Sequence, residues 1–267
     1  MKFINAFILT LLFSFSAHSA DDSAIQKAVD ATHRSADNTV RDQYRHPVDT
    51  LSFFGITPDM NVLEILPGRG WYTEILAPLL KEDGQLTLAS FGANHPNDYL
   101  KNIHNEFADM LQANSELYDG ASLVVFEKDK KYLPDVSDNS QDMVLTFRNS
   151  HNWIRYGGIE EIYKSFYRVL KKGGVLGVVQ HRANQGSDSN ETAHKGYVTE
   201  KYLIDLLEGI GFELVAKSEV NANPKDTKDY KDGVWTLPPA LRAKDGNEEK
   251  YKAIGESDRM TLRFVKI

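Results

Sequence analysis

Seven short apolar runs, each separated from the next by a stretch with helical spacing, constrain this chain more than any other feature. They fall at 61–66, 85–91, 122–127, 142–147, 175–180, 212–220 and 260–267. Between them, 71–80 reads as a helix with Glu74 in its first turn, where a carboxylate favours the helix dipole. Gly84 ends that helix, and 97–114 carries apolar residues at three- and four-residue steps. The helix at 158–170 stops at Gly173-Gly174, and Thr199 caps a further helix that ends near Gly211. Strands alternating with helices at this spacing predict an α/β chain with a doubly wound, mostly parallel seven-stranded sheet. In such sheets the ligand lies at the carboxyl ends of the strands.

The first 19 residues read as an export signal. Lys2 precedes an apolar run at 3–15, and Ala17-His18-Ser19 offers small side chains at the two positions a signal peptidase reads, so cleavage is expected after Ser19 or Ala20. At about 13 residues the run falls short of the roughly 20 that span a bilayer, so no stable membrane insertion is expected after cleavage. The expected location is outside the cytoplasm, in the periplasm.

The remaining 20–267 is long enough for one α/β domain with a full core. Without Lys2, 30 basic residues stand against 38 acidic ones, a net charge near −8 with scattered cations. Such a surface disfavours a nucleic-acid partner. The absence of cysteine excludes disulfides, thiolate catalysis and a cysteine zinc site. No H-x-x-x-H or His-carboxylate helix pair argues for a metal.

Two segments sit outside the alternation. Residues 21–55 are polar with helical spacing, broken at R-D-Q-Y-R-H-P (41–47), and are expected to pack over one mouth of the sheet. Residues 221–257 hold Pro224, Trp235, Pro238 and Pro239 with no sustained period, where a hairpin would normally join two strands. This insertion reads either as a substrate-side lid or as a surface loop without a role.

Three motifs carry a family resemblance. V-L-E-I-L-P-G-R-G (62–70) ends the first strand in a glycine turn. K-D-K-K-Y-L-P-D-V-S-D-N-S-Q-D-M-V-L (128–145) leads into the fourth, and Y-R-V-L-K-K-G-G-V-L-G-V-V (167–179) into the fifth. In this order the chain resembles the class I S-adenosylmethionine-dependent methyltransferases over roughly 36–267, and is similar to a bacterial branch of predicted exported members. The resemblance implies a Rossmann-like sheet whose last strand is antiparallel, with S-adenosylmethionine as cofactor.

Glu64, Pro67, Gly68 and Gly70 match that family's first motif, with Leu66 where its first glycine belongs. Ser90 stands where an acid would accept hydrogen bonds from both ribose hydroxyls. A serine makes one neutral bond there, at a cost of about 1–3 kcal/mol in affinity, so Ser90→Asp is expected to tighten binding if that position faces the ribose. Asp129 matches the acid that takes the adenine amino hydrogen. Arg148 and Asn149, ending strand four in F-R-N-S-H-N-W (147–153), are placed beside the transferred methyl group by the same resemblance.

Methyl transfer is an in-line displacement, so alignment and exclusion of water matter most. His151 reads as a general base or as a histidine bonded to a neighbouring loop carbonyl. His181 and Arg182 read as an anion contact or as solvated residues past a strand. His194 lies in a polar loop. Trp71 and Tyr72 read as flanking the cofactor or, more simply, as helix-core packing. The leading expectation is a methyltransferase acting on a small molecule. The alternative is a binding protein that kept the fold and lost the cofactor; a dinucleotide oxidoreductase lacks its G-x-G-x-x-G.

Overall fold

The computed structural model describes residues 22–128 and 131–267; the expected leader and Asp129 lie outside the described residues. In chain order the elements are α1 (Asp22–Val29), α2 (Ala36–Thr39), α3 (Asp42–Arg45), α4 (Pro47–Phe54), β1 (Asn61–Ile65), α5 (Thr73–Leu80) and β2 (Gln85–Ser90). There follow α6 (Asp98–Ala113), α7 (Ser115–Tyr118), β3 (Ser122–Val125), β4 (Gln141–Phe147), α8 (Ser150–Arg155), α9 (Ile159–Val169) and β5 (Leu170–His181). Then come α10 (Ser189–Thr192), α11 (Glu200–Ile210), β6 (Phe212–Ser218), α12 (Glu248–Ile254) and β7 (Arg259–Lys266).

The seven strands form one sheet in the order β3-β2-β1-β4-β5-β7-β6. β1 to β5 pair in parallel, and β7 runs antiparallel to both β5 and β6. The strand order reverses between β1 and β4, which places a crevice at their carboxyl ends. Alternate strand residues feed two cores, as a period of two requires. Leu63, Ile65, Val144, Leu176 and Val178 pack with Tyr163 and Phe166 of α9 and Leu203 and Leu207 of α11. Val62, Met143, Leu145 and Phe147 pack on the other face with Phe54 of α4 and Ile75 and Leu76 of α5.

Caps match the sequence signals. The Asn97 side chain accepts the Tyr99 and Leu100 amide protons, and Thr199 Oγ1 accepts that of Tyr202. Two expectations need correcting. β5 starts at Leu170 and runs through Gly173-Gly174, because residue 170 already pairs with Gln141 before a register shift to Met143↔Val175. The insertion contains a short 3-10 turn (Gly233–Thr236) and α12, which bury Tyr230, Leu237 and Tyr251 together. Among the described residues no helix is long and apolar enough to cross a membrane.

Gly177, in the middle of β5, needs its missing side chain. A Cβ there would lie 2.7 Å from Leu145 Cδ2 and 2.9 Å from Phe54 Cγ, two side chains with no free direction in which to retreat. Gly177→Ala is therefore expected to cost about 1–3 kcal/mol in a denaturant titration; a neutral result would mean that α4 can lift from the sheet.

Candidate functional site at the carboxyl ends of the parallel strands

β1 ends in a sharp bend. The Leu66 amide still donates to Ala89 O at 2.8 Å, continuing the pairing with β2. Leu66 then turns left-handed at φ 49°, with Gly68 at 64° and Gly70 at 82°. Leucine here takes a conformation that glycine adopts freely, at a cost of roughly 1–2 kcal/mol, and its side chain packs against the α9–α11 core. Gly68 has nothing within 4 Å of where a Cβ would stand, so the turn presents bare backbone to open space. Gly70 serves packing, since a Cβ would meet Met110 and Phe107 of α6.

Glu64 does not face that space. It is 1% exposed and accepts a bond from Thr73 Oγ1 at 2.7 Å, so it braces the turn from behind. Burial pushes its carboxyl up to about 7, opposed by the Thr73 hydroxyl. Asn149 is also a brace: its amide donates to Ile65 O at 3.1 Å and to Thr146 Oγ1 at 3.3 Å, tying the ends of β1 and β4 together.

Beside this turn, the buried Ser90 hydroxyl lies 3.3 Å from His104 Nδ1. A carboxylate is nevertheless present. Glu127, just past β3, accepts the Gly92 amide proton at 2.9 Å through one oxygen. It reaches from the neighbouring strand to the end of β2, where a Cβ on Gly92 would strike it.

On the other side of the turn, Tyr72 stacks on Phe147 at 3.6 Å between ring centroids, and the Trp71 ring lies edge-on to Tyr72. Both aromatics precede α5 and are buried in the core it packs into, as expected, with Tyr72 also touching the end of β4 through Phe147. Arg148 follows at φ 64°, its amide donating to Val179 O at 2.7 Å. Non-glycine residues in left-handed backbone thus end both strands that flank the crevice, where strain is commonly held.

His151 is 4% exposed, and its Nδ1 lies 3.3 Å from Gln180 Nε2, an amide donor. Its partner is a side chain and not the loop carbonyl expected. Accepting at Nδ1 leaves the proton on Nε2. Burial, offset in part by the Gln180 bond, pulls its pKa down to about 4. At neutral pH it is an uncharged imidazole and a weak base. Its ring is 5.7 Å from His181 and 5.9 Å from Trp235 of the insertion.

The strongest charge feature lies beneath these rings. Glu256, 4% exposed, accepts bonds from Arg41 Nε at 2.6 Å, Arg259 Nη2 at 2.7 Å and Arg45 Nε at 3.3 Å. Burial alone would raise its carboxyl, but Arg45, Arg259, Arg41 and Arg148 outweigh that and hold it at about 2. The Arg45 guanidinium also stacks 4.5 Å above Trp71.

Neither half of the His181-Arg182 pair is solvated. His181 is buried, with Nδ1 2.5 Å from Ser257 Oγ. Arg182 bonds to Glu200, Glu219 and Asp258 at 2.7–3.0 Å, so its fork is fully used. An open groove of about 980 Å³ beside it is lined by these mutually paired charges and lies away from the β1 turn. His194 is exposed. Among the described residues no group of three His, Asp or Glu could hold a metal.

No protein-family profile matches the sequence, and no curated protein matches it. Solved structures do. A SAM-dependent methyltransferase from Aquifex aeolicus superposes with a TM-score of 0.57 at 16% identity, covering 92% of this chain and 99% of that one. The [4+2]-cyclase SpnF gives 0.56 at 16% identity over 83% and 81%. Phosphoethanolamine N-methyltransferase 2 from Haemonchus contortus, in complex with S-adenosyl-L-methionine, gives 0.53 at 14% over 91% and 60%. The chain has the class I methyltransferase fold.

On that fold the β1 turn, Ser90 and Glu127 border one side of the crevice, and Tyr72, Arg148 and His151 the other. Sequence reasoning missed Glu127, Arg45, Arg259 and Glu256. The signals were present, in the doubled arginines of R-D-Q-Y-R and in E-S-D-R before β7, but nothing in either segment shows that they meet.

Proposed function

We propose that the protein is an S-adenosylmethionine-dependent methyltransferase for a small molecule, carried out at the crevice between the ends of β1 and β4. The observation that supports this most directly is the turn at Gly68, left-handed and open, on the fold shared with the methyltransferases above. The bare backbone at Pro67 and Gly68 would receive the cofactor, and Glu127 would supply the ribose carboxylate that Ser90 lacks. When bound, S-adenosylmethionine supplies an electrophilic methyl carbon, whose bond to sulfur breaks as the acceptor's lone pair forms the new one. Tyr72, Phe147 and Trp235 exclude water, and neutral His151 offers its Nε2 proton as a donor to orient the acceptor. A leader at 1–19 supports export to the periplasm as part of this reading.

Calorimetry on the mature protein tests it. S-adenosylmethionine and S-adenosylhomocysteine are expected to bind at micromolar concentration, and Glu127→Gln to weaken both by about tenfold, the scale of one charge-assisted bond. Silence at millimolar ligand would favour a second reading, a binding protein on this fold, which the left-handed Leu66 and the His104-engaged Ser90 both support.

A further inference from the structure

The arginine cluster is unbalanced. Arg41, Arg45 and Arg259 all pair with the one carboxylate of Glu256, and among the described residues no second carboxylate forms an ion pair with Arg45. Arg45 is 2% exposed, yet neither of its terminal nitrogens, Nη1 or Nη2, has an acceptor among the described protein groups; Arg41 Nη2 is in the same position. Buried N–H donors are almost always satisfied, and buried cations almost always matched, because leaving them bare forfeits their hydration. The surplus also has a definite place. The Arg45 guanidinium lies 4.5 Å over the Trp71 ring, which meets Tyr72 edge-on, and Tyr72 stacks on Phe147 at the end of β4. The charge therefore adjoins the Tyr72–Phe147 stack at the crevice.

We propose that this cluster is an oxyanion subsite, and that the molecule methylated carries a carboxylate or phosphate group held by Arg45 and Arg41. The assignment of that anion as the methyl acceptor rests on the methyltransferase reading; the anion site itself does not. Guanidinium groups suit it, since their planar forks match carboxylate and phosphate oxygens in pairs. Glu256 fixes the forks in place while leaving net positive charge. Burial, then the neighbouring Arg148, pulls Arg45 well below its usual range, against the pull of Glu256, as expected for a cation short of counter-charge.

The test uses inorganic phosphate and acetate as probes, with no cofactor present. At constant ionic strength, thermal unfolding and calorimetry of the mature protein should show saturable phosphate or acetate binding. Arg45→Gln should weaken it by about tenfold to a hundredfold, and Arg45→Lys should restore part of it. Because phosphate also stabilises proteins without a site, the difference between variants is the readout. Equal responses from the wild type and Arg45→Gln would overturn the proposal.

Should Arg45→Gln fail to fold, Arg41→Gln decides, because Arg41 Nη2 is the other unpaired donor of the cluster and its side chain is partly exposed. It should weaken the anion response, and an unchanged response sinks the site. A preference for phosphate over acetate, or the reverse, identifies the acceptor's group. Phosphate binding without S-adenosylmethionine binding would retain the subsite and remove the methyltransferase reading. The opposite pattern would remove only the subsite.

Discussion

Glu256→Gln lowers the unfolding midpoint by about 6–20 °C at neutral pH, the largest single-residue effect expected of this protein. The substitution keeps the shape but removes the counter-charge shared by four arginines, three of them bonded to it directly. Breaking a buried ion pair from one side costs about 3–5 kcal/mol, since the partner charge is left uncompensated. Each kcal/mol moves the midpoint of a domain this size by about 2–4 °C.

The loss has a pH signature. The Glu256 carboxyl sits at about 2 in the folded chain against an ordinary value of 4.5. Its contribution is therefore complete above pH 4.5 and is lost as pH falls toward 2. Differential scanning calorimetry from pH 7 to pH 3 should find wild type and variant furthest apart at the neutral end and converging in acid. A gap that stays constant would mean that shape, and not charge, is what Glu256 provides.

Glu64→Gln has the opposite sign. Burial holds the Glu64 carboxyl at about 7 instead of 4.5, so the folded chain keeps a proton that the unfolded chain gives up between those values. Wild-type stability is penalised as pH rises through that window, by about 3 kcal/mol in full, at about 1.4 kcal/mol per unit. Glutamine has no proton to lose and can still accept from Thr73.

The variant should thus gain on wild type by about 3 kcal/mol between pH 4 and pH 8. The raw curves do not isolate this, because His151, lowered from 6.5 to about 4, loses its contribution as pH falls over much of the same range. His181 is lowered too, chiefly by burial, and acts in the same direction. The difference between variants cancels both. Urea titrations of the two proteins at pH 5, 6, 7 and 8 measure it, and a flat difference would show that the carboxylate is ionised in the folded state throughout.

The architecture was legible because it rests on local periodicity. The runs at 61–66, 85–91 and 142–147 became β1, β2 and β4 with their ends within a residue, and Asn97, Thr199 and Gly211 mark helix termini where their side chains or freedom of φ dictate. Ser90 was recognised as an oddity, but the carboxylate near it was not visible. Glu127 reaches the end of β2 from the adjacent strand, and which side chain crosses between strands depends on register.

The arginine cluster and the His151 surroundings were hidden for a stronger reason. Arg41 and Glu256 are 215 residues apart, and His151 and Trp235 meet only because the insertion returns over β4 and β5. Composition did not help, since an acidic chain can still gather its cations at one point. His151 was noticed for its position and misjudged in its partner, because Gln180 is a neighbour in space from another strand.

Glu256 and Trp235 both belong to the stretch between β6 and β7, which also fastens itself down through Asn221 to Thr50 and Thr261 and through Asp226 to Tyr197. Shortening this stretch to a tight hairpin would therefore do more than trim a surface. It would strip the arginines of their common partner and uncover the imidazole beneath the indole. Any scheme to transplant this crevice onto a leaner scaffold must carry the whole excursion with it.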